Sequence, residues 1–148
     1  MENKTASAII SFAVDLEDAS SDFYERLADK FAESKDVFQN FAKSCKKTKV
    51  LINRTYQENV SDILETGFSF EGLDLKHYDV KLDLPESINY PESLKIAISL
   101  EDKASRFYTD ASKLAKSLLA TIPTAFARAA EVRSKRKLEL ESLLGKSN

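Results

Sequence analysis

Apolar residues recur at every third or fourth position in four long stretches of the chain, and each stretch predicts an amphipathic α-helix. Ser34 stands where the N-cap of the second helix is expected. Pro123 suits the first turn of the fourth helix, and Gly145 suits its C-cap. The predicted helices cover residues 5–31, 35–65, 92–120 and 122–144.

The pattern changes between residues 66 and 90, where Tyr78, Val80, Leu82 and Leu84 alternate with charged residues. A period of two indicates an extended segment with one side on an apolar surface. The other two connections are short and predict antiparallel helical hairpins. We therefore expect a single all-α domain over residues 1–148, a left-handed four-helix bundle with one long crossover between helices 2 and 3.

The composition agrees with a helical domain, because its 148 residues include only three Gly and three Pro. A net charge of −2 gives no general attraction to nucleic acid or to an anionic membrane. The apolar run at residues 8–14 is too short for a signal peptide or a membrane span. These features predict a cytoplasmic protein that binds neither nucleic acid nor membrane. His77, the only histidine, leaves little material for histidine-based catalysis.

Two segments of the chain repeat one another with an offset of 84 residues. Seven of twelve positions are identical: Ala13, Leu16, Glu17, Asp18, Ser21, Phe23 and Tyr24 recur as Ala97, Leu100, Glu101, Asp102, Ser105, Phe107 and Tyr108. The repeat predicts a molecule built from two related halves. Each half then carries one glutamate in the apolar stripe of its first helix.

Both repeated glutamates, Glu17 and Glu101, are flanked by apolar residues and by a tyrosine on the same helical face. We expect them to point inward, with Tyr24 and Tyr108 near them as core residues that hydrogen-bond the carboxylates. A buried carboxylate must be protonated, paired with a cation or bound to a metal. The alternative is that each glutamate lies at the edge of the stripe and reaches solvent.

The repeated A-x-x-L-E-x-x-x-x-x-F-Y, followed by a helix that begins F-x-x-[FA]-A, resembles the ferritin-like di-iron domain of rubrerythrins and their relatives. The resemblance covers all four predicted helices. It implies one glutamate from the first helix of each half and an E-x-x-H pair from the second. In that family these residues bind two iron ions, which reduce peroxide or oxygen or oxidise iron. Many of its members are homodimers.

Carried onto this sequence, Glu17 and Glu101 match the family's first-helix ligands. The E-x-x-H pairs fall on Cys45 and Thr48 in the first half and on Arg133 and Arg136 in the second. Both histidines and two carboxylates of the family's site are therefore replaced. The chain resembles a degenerate member of the family that lacks most of its metal ligands.

Helical periodicity places Arg133 and Arg136 on the apolar stripe of the fourth helix. Two arginines balance the charge of Glu17 and Glu101, and a guanidinium suits a carboxylate in bidentate geometry. We hypothesise a buried ion-pair cluster of these four residues in place of the di-metal centre. The competing interpretation is that both arginines extend to solvent beside Lys135 and Lys137.

Three functions follow from these patterns. The favoured one is a metal-free, non-catalytic protein without a cofactor, with a structural or protein-interaction role, an unidentified protein partner and a possible homodimer. The second is a residual metalloprotein or oxidoreductase that holds iron or manganese at Glu17 and Glu101, with help from Cys45. The third is a module that binds an acidic partner or nucleic acid through basic patches around Lys43 and Lys135. The inward position of Cys45 itself predicts a packed, inert thiol.

Overall fold

The computed structural model describes residues 3–118 and 121–147, and α-helices make up most of that part of the chain. The helices are α1 (Ala6–Lys30), α2 (Lys35–Glu58), α3 (Val60–Thr66), α4 (Tyr90–Leu114) and α5 (Thr121–Ser147). Two three-residue strands, β1 (Asn3–Thr5) and β2 (Ser69–Glu71), form an antiparallel ladder. The predicted all-α class is confirmed. None of the described helices is long and apolar enough to cross a membrane.

Side-chain caps define the starts of two helices. The hydroxyl of Thr5 accepts a hydrogen bond from the backbone N–H of Ala8 at 3.1 Å, which begins α1. The side chain of Asn89 accepts one from Glu92 at 2.9 Å, which begins α4 with Pro91 in its first turn.

The predicted second helix, residues 35–65, is interrupted at Asn59, which corrects the sequence-based boundary. The side-chain amide of Asn59 donates to the carbonyl oxygen of Thr55 at 2.7 Å, the acceptor that its own backbone N–H would use in a continuous helix. Its backbone N–H bonds to Tyr56 instead. The Asn59 side-chain oxygen also accepts from the hydroxyl of Thr121 at 3.1 Å, so the break ties α2 to the start of α5.

One other predicted boundary and two predicted caps are corrected. The third helix ends at Leu114 rather than 120 and continues as one 3-10 turn over Ala115–Ser117; residues 119–120 lie outside the described residues. Gly145 lies within α5 and has no positive φ, so it is not the predicted C-cap. Ser34 precedes α2 as expected, but its side chain caps no backbone group. Its hydroxyl lies 2.6 Å from that of Tyr90, which begins α4.

The first pair of long helices is antiparallel. Salt bridges link Glu25 of α1 to Lys46 of α2 and Asp18 of α1 to Lys49 of α2, both at 2.8 Å. The residue number rises along one helix as it falls along the other, so the short connection between α1 and α2 closes a hairpin.

The second pair is antiparallel for the same reason. Lys137 of α5 lies 3.0 Å from Asp102 of α4, and further along the pair Ser112 donates to the carbonyl oxygen of Pro123 at 2.7 Å. The molecule therefore consists of two helical hairpins joined by the long connection between α3 and α4.

The long connection crosses over α1 and α4. Val80, Leu82 and Leu84 are half-buried, while the charged residues between them are exposed. The hydroxyl of Tyr78 donates to Asp110 of α4 at 2.6 Å, and Lys30 of α1 donates to the carbonyl oxygen of Glu86 at 2.9 Å. These contacts fix the connection against both hairpins.

Two apolar clusters fill the interior. One is centred on Ile9, Phe107 and Phe126, and the other on Phe23, Phe38 and Leu94. Along each of α1, α4 and α5, the buried charged residues lie between residues that belong to one cluster and residues that belong to the other. The helices therefore place a charged layer between two apolar ones.

Candidate functional site: a buried ion-pair cluster

Arg133 lies at the centre of the charged layer, with a side chain that is 1% exposed. Its Nη2 atom lies 2.8 Å from Glu17 Oε2, and its Nη1 atom lies 2.9 Å and 3.1 Å from the two carboxylate oxygens of Glu101. Nη2 also donates to the hydroxyl of Ser20 at 3.0 Å. One guanidinium of α5 thus joins α1 to α4 through charge-assisted hydrogen bonds.

Arg136, one turn further along α5, links the layer to α2. Its Nη1 atom donates to Cys45 Sγ at 3.3 Å, and its Nη2 atom donates to the hydroxyl of Ser44 at 2.8 Å. The same Nη1 lies 3.4 Å from Glu101 Oε2, a longer ion pair than those of Arg133. The guanidinium also lies over the ring of Phe41, 5.4 Å from its centroid.

The two repeated tyrosines bind the glutamates of opposite halves. Tyr24 of α1 donates to Glu101 of α4 at 2.5 Å, and Tyr108 of α4 donates to Glu17 of α1 at 2.5 Å. The repeat in the sequence therefore becomes a crossed pair of short tyrosine–glutamate hydrogen bonds. Each bond connects one hairpin to the other.

Burial and the nearby carboxylates have opposite effects on the pKa values of the two arginines. Burial disfavours the charged form of Arg133, but the nearby carboxylates of Glu101 and Glu17 outweigh it and hold its pKa well above the ordinary value. Burial also disfavours the charged form of Arg136, but the carboxylate of Glu101 raises its pKa despite the opposing charge of Arg133. Burial, followed by the charge of the opposing glutamate, raises the pKa values of Tyr24 and Tyr108 well above their usual range.

Cys45 is a buried thiol that Arg136 contacts, yet its pKa is raised to about 11. The main cause is burial, which disfavours the thiolate more than the two guanidiniums favour it. A protonated, enclosed thiol is a poor nucleophile and a poor metal ligand.

The cluster is not symmetrical. Glu101 receives hydrogen bonds from Tyr24 and from both arginines. Glu17 receives its bonds on Oε2 alone, and its Oε1 atom has no hydrogen-bond partner among the described residues. Glu101 is therefore much better supported than Glu17.

The structure brings together most of the residues that the sequence singled out. The cluster members have little or no contact with solvent: Glu17 and Glu101 are 1% and 0% exposed, and Arg136 is 3% exposed. Neither arginine extends to solvent, in contrast to the competing interpretation. Thr48 lies apart, in the wall of a groove between α2 and α5. Exposed His77 lies 3.7 Å from Asp74.

Sequence reasoning missed two partners of the arginines, the hydroxyls of Ser20 and Ser44. Ser20 lies three positions after Glu17, a helical spacing that places both on one face and could have identified it. The repeat could not have identified Ser20, because the equivalent residue in the second half is Ala104. No pattern in the sequence indicates that Ser44 contacts Arg136.

The cluster does not fit a di-iron or di-manganese centre. Guanidinium groups donate to both oxygens of Glu101 and to one oxygen of Glu17, so the positive charge beside these carboxylates comes from arginine. Such a site has no imidazole donor, and its two carboxylates are already paired with guanidinium groups, so it does not offer the donor set that binds these metals. Across residues 3–118 and 121–147, no group of three or more His, Cys, Asp or Glu side chains is placed to hold a metal ion.

Comparison with known proteins gave no further assignment. No protein-family model, curated protein or solved structure matches the chain. What the site can do must therefore be argued from its own chemistry.

Proposed function

We propose that this chain is a degenerate, rubrerythrin-like member of the ferritin-like group, in which an ion-pair cluster occupies the place of the di-metal centre. In this proposal the protein is not a catalyst and needs no metal. Its cluster holds the two hairpins in one fixed arrangement, and the molecule acts as a structural or protein-interaction component.

The directions of the helices support the ferritin-like part of the proposal. The crossed contacts Tyr24–Glu101 and Tyr108–Glu17 require α1 and α4 to be antiparallel. Because α1 is also antiparallel to α2, helices α2 and α4 point the same way and need a long crossover between them. Ferritin-like bundles with one crossover have this arrangement.

The position of Arg133 between Glu17 and Glu101 is the observation that carries the metal-free part of the proposal. The resemblance puts a metal-ligating glutamate at residue 133, and this chain has a guanidinium there that neutralises both remaining glutamates. A buried charge layer of this kind need not stabilise a fold more than apolar packing would, but it penalises every arrangement that separates the partners. A role in fixing the pairing of the hairpins follows from that property.

The alternative of an iron- or manganese-dependent oxidoreductase has less support. It would require Glu17 and Glu101 to exchange their arginine and tyrosine partners for metal ions. Burial raises the pKa of Cys45, the remaining candidate ligand, to about 11, which disfavours the thiolate that would bind a metal. Within the described residues, both arginines, both tyrosines and Glu101 are hydrogen-bonded inside the cluster, and of the cluster's carboxylate oxygens only Oε1 of Glu17 lacks a partner.

Metal analysis tests the proposal. We expect the protein, expressed with added iron and manganese and then dialysed, to contain substoichiometric metal by inductively coupled plasma mass spectrometry. A di-iron ferritin-like protein treated in parallel is the positive control. Stoichiometric metal that survives dialysis and is lost in Glu17→Gln would contradict the proposal, whereas metal that persists in Glu17→Gln would be bound elsewhere on the surface.

A further inference from the structure

A groove follows the outer contact between α2 and α5 and is not used by the cluster. One section, of about 380 Å³, lies between Leu51 and Thr55 of α2 and Ala125 and Arg128 of α5. The next section, of about 370 Å³, lies between Val37 and Ser44 of α2 and Lys135 and Glu139 of α5. Val132 borders both sections, so they adjoin one another along the same pair of helices.

Small side chains create this groove. Thr48 of α2 and Ala125 and Ala129 of α5 face each other where larger residues would fill the space. The lining residues of α2 extend from Val37 to Glu58, a length of about 30 Å at 1.5 Å per residue. A helix of about 20 residues has that length.

The walls expose apolar side chains in the middle of the groove. Leu51 is 55% exposed on the α2 side, and Val132 is 38% exposed on the α5 side. Apolar residues placed on both walls of a groove are typical of a surface that receives the apolar face of an amphipathic helix.

Positive charge flanks this apolar middle. Arg128 and Lys135 line the groove one turn to either side of Val132 on α5. Lys47, one turn before Leu51 on α2, lies outside the lining and borders an adjoining depression that shares Leu51. The acidic residues of the walls, Glu58 and Glu139, occur only at the two ends. Exposed Glu131 lies between Arg128 and Lys135 on α5, so the middle of the groove carries a small excess of positive charge, although the whole chain has a net charge of −2.

These basic residues have no ion-pair partner among the described residues, unlike the lysines on the opposite side of α2. Lys46 and Lys49 face α1 and pair with Glu25 and Asp18. Lys47, Arg128 and Lys135 are exposed and unpaired in the described structure. These exposed charges are available to an acidic partner.

We infer that the α2–α5 groove binds an acidic amphipathic helix of a partner protein. The apolar face of that helix packs on Leu51 and Val132, and its acidic flanks lie beside Lys47, Arg128 and Lys135. This inference rests on the interaction role proposed above and names the kind of partner.

A second copy of this chain fits the groove less well. Its most acidic helix, α1, has its apolar face buried within its own bundle and cannot present it to the groove. Placing one groove against another would bring Lys47, Arg128 and Lys135 of each copy near the same residues of the other copy. Like charges would then oppose one another at the centre of the contact.

The test is a selection from a displayed library of amphipathic helices of about 20 residues. All members share one apolar stripe, and their flanking positions are randomised among Glu, Lys, Gln and Ser. The bait is the full chain, and Leu51→Asp, which places a charge on the apolar wall, is the counter-bait. We expect the selected helices to be enriched in Glu at their central flanking positions.

Fluorescence anisotropy then measures the affinity of a selected peptide. We expect Leu51→Asp, and separately Lys47→Glu with Lys135→Glu, to weaken binding about tenfold or more, with added salt weakening it further. The matched control is Leu138→Asp, which changes an equally apolar residue that is 66% exposed and outside the groove. It should bind as the unchanged protein does.

Several outcomes would overturn the inference. They are the absence of any selected helix, selection without acidic enrichment, and equal binding by Leu51→Asp and the unchanged protein. Self-association in analytical ultracentrifugation that Leu51→Asp abolishes would identify a second copy as the occupant instead. Each result is separate from the metal analysis, because the four substituted positions do not contact Glu17, Glu101 or Arg133.

Discussion

The two glutamates of the cluster occupy equivalent positions in the repeat but depend on different numbers of partners. Glu101 accepts hydrogen bonds from Tyr24, Arg133 and Arg136, whereas Glu17 accepts them from Tyr108 and Arg133 only. A buried carboxylate that loses a donor keeps its desolvation cost. Loss of one donor should therefore lower the free energy of unfolding more at Glu17 than at Glu101.

This asymmetry predicts different effects for two otherwise matched substitutions. Tyr108→Phe should lower the free energy of unfolding by about 1.5–3 kcal/mol, the range for a hydrogen bond to a charged group. Tyr24→Phe should cost less, because two guanidiniums still support Glu101. Urea denaturation of both variants measures the difference. Equal losses, or a larger loss for Tyr24→Phe, would contradict the asymmetry.

The Cys45 thiol should be unreactive in the folded protein. Burial raises its pKa from 9.0 to about 11, so between these pH values the thiol of an unfolded chain ionises while that of the folded chain stays protonated. We expect a disulfide reagent to label Cys45 quickly in concentrated guanidinium chloride and very slowly in native buffer. Fast labelling of the folded protein near pH 9 would show a reactive thiolate.

Residue-level sequence reasoning works best where helical periodicity decides the answer. Arg133 and Arg136 lie on the apolar stripe of α5, and both are buried. Periodicity does not give distances, so it could not reveal that Arg133 bridges two glutamates while Arg136 shares only one. It also could not identify the hydroxyl of Ser44, which only the contact between α2 and α5 brings to Arg136.

At the scale of whole elements, the helices follow the sequence closely and their ends do not. The break at Asn59 depends on a side-chain amide that bonds one turn back, which competes with the helix only in a particular rotamer. The ladder of β1 with β2 was missed because each strand has three residues, too few to show a period of two. Ends of elements are set by such single contacts.

The end of α3 provides a prediction about backbone conformation. Gly67 has φ of +64°, which L-residues with a side chain adopt at a cost, and an added Cβ would meet no atom within 4 Å. Gly67→Ala should therefore destabilise the protein by about 1–2 kcal/mol through backbone strain alone.

Gly145 offers the matched control for that substitution. It lies within α5, lacks a positive φ and also leaves open space for a Cβ. Because alanine favours a helix interior over glycine, Gly145→Ala should be neutral or stabilising by up to about 1 kcal/mol. Denaturant unfolding that shows the same loss for both variants would rule out strain at Gly67 as the cause.

At the scale of the whole molecule, the cluster connects all four long helices. Glu17 belongs to α1, Glu101 to α4 and Arg133 to α5, while Arg136 reaches α2 through Cys45. The two hairpins each hold only part of this charge set, so neither can neutralise its buried charges alone. Correct docking of the hairpins and pairing of the charges should therefore be one cooperative event.

The all-α class could be predicted because the repeat, the helical periods and the scarcity of glycine and proline agree. The route of the crossover was harder, since only three half-buried positions, Val80, Leu82 and Leu84, carry its pattern. The groove between α2 and α5 could not be predicted. It results from how far apart two helices lie, and that distance depends on every side chain between them.

A double-mutant cycle on global unfolding measures how strongly Arg133 and Glu101 stabilise each other in the folded protein. Arg133→Met should lower the free energy of unfolding by about 3–5 kcal/mol, because it leaves two buried carboxylates without their shared cation. Glu101→Gln made in the same chain should recover part of that loss. The exposed pair Asp18–Lys49 is the control, with a coupling energy of about 1 kcal/mol or less.

We expect a coupling energy between Arg133 and Glu101 that clearly exceeds that of the control pair. Additive effects of Arg133→Met and Glu101→Gln would contradict it, since they would mean that the two side chains do not stabilise each other in the folded protein.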